Sequence, residues 1–445
     1  MQLGDTIVSI ITGSTDGAVA VLRVSGPKAV EFVNNLSSKD ILHSKGYEMH
    51  FSRIGKPEVI DETVISIFRA PKSYTGEDVV EIALHASQFI VDSVIDALIK
   101  AGCRLAEAGE FTMRAYLNGK MDLAQAEAVA DVIASETSSE HKLAINQLKG
   151  YVSTRLKDLR EEITNFAALI ELELDFGEED VEFASRERLV NSIDEMNAKI
   201  SEMAASFKQG NAIKLGVPVA ILGQPNAGKS TLLNQLLQED RAIVSDIEGT
   251  TRDTIEEQFS IKGVRFRFID TAGIRETENT IEKIGIERSM AAAKKATIVL
   301  YLYDSQSQTR ENLAEAIAQI QSNTDADIWL IANKTDISQA HEANHISISA
   351  KSGDIDSLLA KIGLAADELK NQIADATISN QRHQQALLKA ITFLSDAKKV
   401  LDAGMGGELL SLHLREAMRE LGSILGEIDN EEVLGAIFSK FCIGK

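Results

Sequence analysis

Basic side chains are scarce here relative to acidic ones. Of 445 residues, 46 are Lys or Arg and 67 are Asp or Glu, a formal net charge of −21. Such a chain is a poor general magnet for phosphate backbones, so contact with nucleic acid requires a local basic patch or a partner. Cysteine is scarcer still. Cys103 and Cys442 are the only two, which excludes a disulfide framework or a four-thiolate zinc site and fits a reducing compartment. No run approaches the roughly 18 uninterrupted apolar residues of a membrane-spanning helix. Residues Met1 to Thr6 lack a basic stretch followed by an apolar core, so no secretory leader is expected. A soluble, cytoplasmic chain without membrane contact is the expectation. What is present is ordinary: 44% hydrophobic and 25% charged residues exclude a wholly disordered or collagen-like chain. The length allows about two to four domains.

The character of the chain changes along its length. Residues 1–118 mix strand-like runs at 7–11, 18–24, 63–68 and 78–82 with a helical period at Phe89, Ile90, Val94, Ile95 and Leu98. This is an α+β pattern. From about 119 the character changes: residues 122–174 and 186–209 are rich in Ala, Leu, Glu and Ile at helical spacing, and after about 376 the chain is helical again to residue 438. Seven acidic residues between Glu171 and Glu182 read either as a solvated helix end and connector or as a contact surface for a basic partner. Between the helical stretches, residues 213–376 carry short apolar runs at 217–222, 266–269, 298–303 and 328–332, most of them separated by helical patterns. Strands alternating with helices predict a parallel α/β sheet. Its simplest placement is as an insertion in one discontinuous helical domain.

One contiguous motif decides the class. Gly223-Gln224-Pro225-Asn226-Ala227-Gly228-Lys229-Ser230 fits GxxxxGK[ST], follows a strand-like run and opens a helix-like one at Thr231. Glycines let backbone N–H groups curl around phosphate oxygens, and the helix N-terminus adds favourable partial charge. Lys229 is expected to reach the β/γ-phosphates and Ser230 a Mg²⁺. Next come Asp270, Thr271, Ala272 and Gly273 at a strand end, a carboxylate for the Mg²⁺ shell and a backbone N–H for a γ-phosphate. Asn333, Lys334, Thr335 and Asp336 follow another strand; the Asp336 carboxylate can accept from both guanine N1–H and the N2 amine, a donor pair adenine lacks. Ser349, Ala350 and Lys351 lie at loop distance, where a backbone N–H can meet guanine O6.

Four elements in this order resemble a TRAFAC-class GTPase domain spanning about 213–376. The resemblance makes the segment holding Ser245, Asp246, Ile247, Glu248, Gly249, Thr250 and Thr251 switch I, with Thr251 on Mg²⁺. Ras-like GTPases continue switch II with a glutamine that orients water. Here Ile274 and then Arg275 follow Gly273, and isoleucine cannot do this. Asn226 carries a carbonyl that can ligate a cation, and the 245–250 loop can add oxygens from Ser245, Ile247 and Thr250. Two readings stay open: K⁺ beside the β/γ-phosphates acting where an arginine finger would, or Arg252 or Arg275 as that finger in cis. Similarity to cation-dependent GTPases that dimerise through their G domains favours K⁺.

Further marks cover the whole chain. Tyr74-Thr75-Gly76-Glu77-Asp78, the stretch from Asn118 to Glu127, Gly249-Thr250-Thr251-Arg252-Asp253 and the terminal Phe441-Cys442-Ile443-Gly444-Lys445 closely resemble the MnmE (TrmE) family of tRNA modification GTPases. The resemblance implies a multidomain α/β fold: an α+β folate-binding-like N-terminal domain (1–118), a discontinuous helical domain (119–212 and 377–445) and an inserted Ras-like G domain (213–376). It implies GTP hydrolysis coupled to adding an aminomethyl-type group at C5 of the wobble uridine (position 34) of tRNAs. The implied one-carbon donor is a tetrahydrofolate derivative in its 5-formyl or methylene form. The implied assembly is a homodimer working with FAD-dependent MnmG (GidA) in a heterotetramer or larger complex. Carried over by position, Arg23, Glu81 and Lys120 contact the folate, Lys445 reaches back from the C-terminus, and Glu282 handles the attacking water through a bridging water. Two rival readings are a regulatory GTPase whose flanking domains only bind, which leaves the folate residues and Cys442 idle, and a one-carbon transferase with a vestigial G domain, which intact Lys229, Asp270 and Asp336 oppose.

Overall fold

Along Asp61–Phe68 inward side chains alternate with more exposed ones, with Asp61, Thr63, Ile65 and Ile67 inward, as a strand covered on one face requires. The computed structural model describes residues 4–13, 17–175, 186–239, 257–269, 290–304, 310–337, 345–403, 407–427, 431–439, 441 and 444. The chain divides into two compact units: Met1–Ile133, Gln147–Asn197 and Lys389–Lys445 form the first, Ala134–Asn146 and Ala198–Leu388 the second.

In the first unit, β1 (Ile7–Ile10), β2 (Val19–Ser25), β3 (Glu48–Ile54), β4 (Asp61–Phe68), β5 (Val79–His85) and β6 (Arg104–Leu105) make one sheet in the order β3-β4-β5-β2-β1-β6. Neighbours are antiparallel except β1 with β6. Helices Ala29–Leu36 and Gln88–Ala101 cover one face, burying Val33, Val94 and Leu98 against Val8, Leu22 and Ile82. Each such side chain contributes about 1.5–3 kcal/mol. The register sets Arg23 directly opposite Glu81 on the other face. In the helical part of this unit, Tyr151–Asp175 packs along Gly407–Leu425. Phe438 and Phe441 bury against Met113, Leu123 and Ala126. The chain end then returns to the sheet: a Cβ on Gly444 would lie 2.1 Å from the Ile10 carbonyl oxygen.

In the second unit, β7 (Val217–Gly223), β8 (Gln258–Ile261), β9 (Val264–Phe268), β10 (Ile298–Asp304), β11 (Asp327–Asn333) and β12 (Ile346–Ser347) run β12-β11-β10-β7-β9-β8. All neighbours are parallel except the β8–β9 hairpin. Strand β10 is buried on both faces: Leu300 and Leu302 join one core with Phe266 and Leu232, Val299 and Tyr301 another with Leu313 and Ile320. That double burial explains why β10 reads as a continuous apolar run rather than an alternating one. Residues 134–146 belong here because Arg265 of β9 pairs with Glu136 and Glu140, and the Ser139 N–H donates to the Gly263 carbonyl. Among the described residues, no helix is long and apolar enough to cross a membrane.

Candidate nucleotide-binding site and a second polar cluster

Strands β7, β10 and β11 are neighbours in the sheet; the carboxyl end of β7 leads into the 223–230 motif and that of β11 into Asn333-Lys334-Thr335-Asp336. The helix after β7 spans Lys229–Glu239, so Lys229, Ser230 and Thr231 form its first turn and their N–H groups are among those a helix start leaves without intrahelical partners. Asn226, at φ 61°, and Gly228, at φ 97°, bend the loop back on itself. Gly228 has a second reason to be glycine: a Cβ there would stand 2.3 Å from the Asn333 side-chain nitrogen. Lys229 Nζ donates to the carbonyls of Gly223 and Gln224 at 2.9 and 2.8 Å, spanning the loop it serves. Burial holds its ammonium below the usual lysine range.

Asn333 ties three motifs together. Buried at the end of β11, it donates Nδ2–H to the Ala227 carbonyl at 2.7 Å and accepts from the Ala350 N–H at 3.0 Å. The loop named for phosphate and the loop named for guanine O6 are thus held by one side chain. Lys334, at φ 65°, is anchored to Asp304 at the end of β10 (2.7 Å). Asp336 is exposed, and its Oδ1 accepts from the Ser349 hydroxyl at 2.8 Å, which aims the carboxylate. Lys351 is exposed beside buried Ser349 and Ala350. Ser245, Asp246, Ile247, Glu248, Gly249, Thr250, Thr251, Asp270, Thr271, Ala272, Gly273 and Glu282 lie outside the described residues, as do Arg252 and Arg275.

The first unit holds a second polar arrangement. Arg23 donates through Nε and Nη2 to Glu81 Oε1 at 2.9 and 2.8 Å. Its guanidinium lies 4.9 Å from the Tyr74 ring centroid and 5.5 Å from that of Phe111. Lys120 is exposed and donates to the Pro71 carbonyl at 2.9 Å, which brings it to the loop carrying Tyr74. Lys445 and Cys442 lie outside the described residues. Cys103 is no substitute nucleophile, since burial pushes its thiol up to about 12. Sequence reasoning missed Tyr74 as a partner of Arg23 and Asn333 as the clasp between loops. The signal for Tyr74 was an aromatic residue in an otherwise polar loop ahead of a buried strand. The signal for Asn333 was an amide closing the apolar run of β11.

A GxxxxGK[ST] loop at a helix start, clasped by Asn333 to the 349–351 loop that holds Asp336, marks a P-loop GTPase. Comparison with known proteins narrows that class. Residues 123–442 match the family described as the MnmE helical domain, and residues 6–120 the family described as GTP-binding protein TrmE N-terminus. The chain is 46% identical over 474 aligned residues to the tRNA modification GTPase MnmE of Christiangramia forsetii, with 100% of both chains covered. It is 45% identical over 471 residues to the MnmE of Bacteroides fragilis, with 99% of each covered. The chain belongs to the MnmE family of tRNA modification GTPases.

Proposed function

We propose that this GTPase acts in tRNA modification by adding, with FAD-dependent MnmG, an aminomethyl-type group to C5 of uridine 34, using a tetrahydrofolate one-carbon donor. Full-length similarity to enzymes named for tRNA modification carries the first part. The Arg23–Glu81 pair beside Tyr74 supports the second. A pterin offers paired N–H donors to a carboxylate and a flat ring to an aromatic face, and the anionic glutamyl tail suits Lys120 and Lys445. The matching domains are 1–118 for folate and dimerisation, 119–212 with 377–445 for the helical part, and 213–376 for GTP.

In the GTP site, Lys229 neutralises β/γ-phosphate charge and Asp336 selects guanine. Ser230 and Thr251 would hold Mg²⁺, with Asp270 in its shell. The donor set suits K⁺ as well: Asn226 is exposed at the loop bend, its amide carbonyl free to join oxygens from Ser245, Ile247 and Thr250. Either ion supplies positive charge where phosphate charge develops. Glu282 positions the attacking water through a second one. Since Asp and Glu exceed Lys and Arg by 67 to 46, the basic surface for tRNA comes largely from MnmG, in a heterotetramer or larger complex in the cytoplasm. Mass analysis of wobble uridines tests the reading: cells lacking this chain lose the C5 substituent and regain it on complementation. An unchanged nucleoside profile would leave a regulatory GTPase as the better description.

A further inference from the structure

Arg114 sits in a helix of eight residues, Glu110–Leu117, at 1% exposure, and faces three carboxylates. Its Nη2 donates to Asp5 Oδ1 at 2.5 Å and Glu110 Oε1 at 2.9 Å, while Nη1 reaches Glu77 Oε1 at 3.2 Å and the Asp5 carbonyl at 2.9 Å. Arg104 closes the cluster from outside by pairing with Asp5 at 2.7 Å and Glu110 at 2.6 Å. Yet Arg114 Nε has no hydrogen-bond partner among the described residues. A buried ion cluster with an unmet donor is a poor device for stability alone, because packed apolar residues of the same volume serve as well. The cluster fixes a position instead.

That position is the 73–78 loop. Glu77 accepts the Ser25 hydroxyl proton at 2.7 Å, and the Ser25 oxygen lies 2.7 Å from the Thr75 hydroxyl. Since the Ser25 proton is spent on Glu77, Thr75 is the donor of the second bond. Ser25 and Thr75 are both 0% exposed. The Asn118 amide donates to the Thr75 carbonyl at 2.8 Å, and the Tyr74 hydroxyl bonds the Thr112 hydroxyl at 2.8 Å. Ser25 follows Arg23 by two residues on β2, so both side chains rise from the same face of the sheet. A continuous chain of bonds runs from Thr75 through Ser25 and Glu77 to Arg114, and it ends the loop beside the guanidinium that Tyr74 covers.

We propose that Arg114, acting through Glu77, Ser25 and Thr75, is a positioning residue that holds Tyr74 against Arg23 and so shapes the face that receives the heteroaromatic ring. The proposal rests on the folate reading above and gives Arg114 no contact with the ligand. It predicts that one hydroxyl at 75 matters: Thr75→Val keeps the volume and loses the link, whereas Thr75→Ser keeps the link.

Calorimetry of the full-length chain with 5-formyl-tetrahydrofolate tests it, with guanine-nucleotide binding and Tm measured on the same samples. Thr75→Ser binds folate as wild type does. Thr75→Val and Arg114→Lys bind at least ten-fold more weakly while nucleotide binding is unchanged, because lysine is a point charge and cannot serve three carboxylates in a planar fork. If Arg114→Lys or Thr75→Val does not fold, Ser25→Ala decides by the same criterion. Wild-type folate affinity in a folded Thr75→Val or Ser25→Ala variant overturns the positioning role. Absence of folate binding by the wild-type chain, with nucleotide binding intact, overturns the folate reading itself and the role with it.

Discussion

The two units place their polar chemistry in different ways. In the second, it gathers at the carboxyl ends of parallel strands, where the polar side chains come from a strand end, the loop after it or the helix start beyond. In the first, Arg23 and Glu81 lie 58 residues apart and meet through antiparallel register, and Tyr74 comes from a connecting loop. The parallel arrangement makes the framework interchangeable and the loop residues critical. The antiparallel arrangement makes the framework itself part of the site, because a one-residue slip would turn Arg23 to the helix-covered face. Damage should therefore stay local in the nucleotide site and spread from the sheet in the other.

The largest effect separates the two sites outright. Lys229→Ala should lower GTP turnover by about 10²–10³-fold, the scale of a lost charge-stabilising donor, while calorimetric folate affinity stays within about two-fold. A parallel loss of folate affinity would break the independence of the two units. Asp336→Asn comes next. Losing a charge-assisted bidentate contact costs about 2 kcal/mol, roughly thirty-fold in GTP affinity. Competition of ATP against labelled GTP reads it, and equal competition by ATP in the wild-type chain would remove Asp336 from base selection. Smaller again is the cation effect: replacing K⁺ by Na⁺ at matched ionic strength should slow hydrolysis about ten-fold, and Asn226→Ala should erase the difference. Indistinguishable rates would move the role to Arg252 or Arg275.

The smallest effect is one of pH and concerns the first unit alone. Burial raises the Asp5 carboxyl, but hydrogen bonds from Arg104 and Arg114 outweigh it and hold the group below the usual carboxylate range. Glu110 follows the same pattern, with Arg104 and the Glu107 N–H as its main stabilisers. Both folded values lie below the unfolded ones, near 3.9 for Asp and 4.3 for Glu. The stabilisation is therefore complete above the unfolded values and lost as pH falls through the folded ones. Acidification from about pH 6 to about pH 3.5 should lower the Tm of the first unit by a few degrees, and Asp5→Asn should reduce that dependence. Trp329, the only tryptophan, lies on β11 and reports on the second unit alone, so its fluorescence provides the reference transition. A Trp329 transition that shifts in step with calorimetry would show that the two units do not respond separately.

Much of the fold is legible in the residues themselves. The apolar runs at 217–222, 298–303 and 328–332 fall on β7, β10 and β11, because strands buried on both faces leave an unmistakable trace. Strands β8 and β12 did not announce themselves, being four and two residues long at the sheet edges. Strand β3 hid for a different reason: Met49 and Phe51 point outward at 70% and 65% exposure, which inverts the alternation a strand pattern looks for. The phosphate and guanine motifs were readable because each is contiguous. The Arg114 cluster was not, since Asp5, Glu77 and Glu110 are joined only by folding, and a lone arginine among Phe111, Met113 and Ala115 gives no hint of its partners.

The Asn333 clasp has a bearing on fidelity. Because one amide bonds both Ala227 and Ala350, the proposed phosphate loop and the proposed guanine loop are joined, and the two ends of a nucleotide held there would not be sensed separately. A nucleotide whose base crowds the Ala350 loop pulls on the residue that keeps the phosphate loop in shape. Discrimination would then be exerted twice, once as weaker occupancy and once as a poorer cradle for the triphosphate. An impostor that does bind would be hydrolysed more slowly than its occupancy alone accounts for.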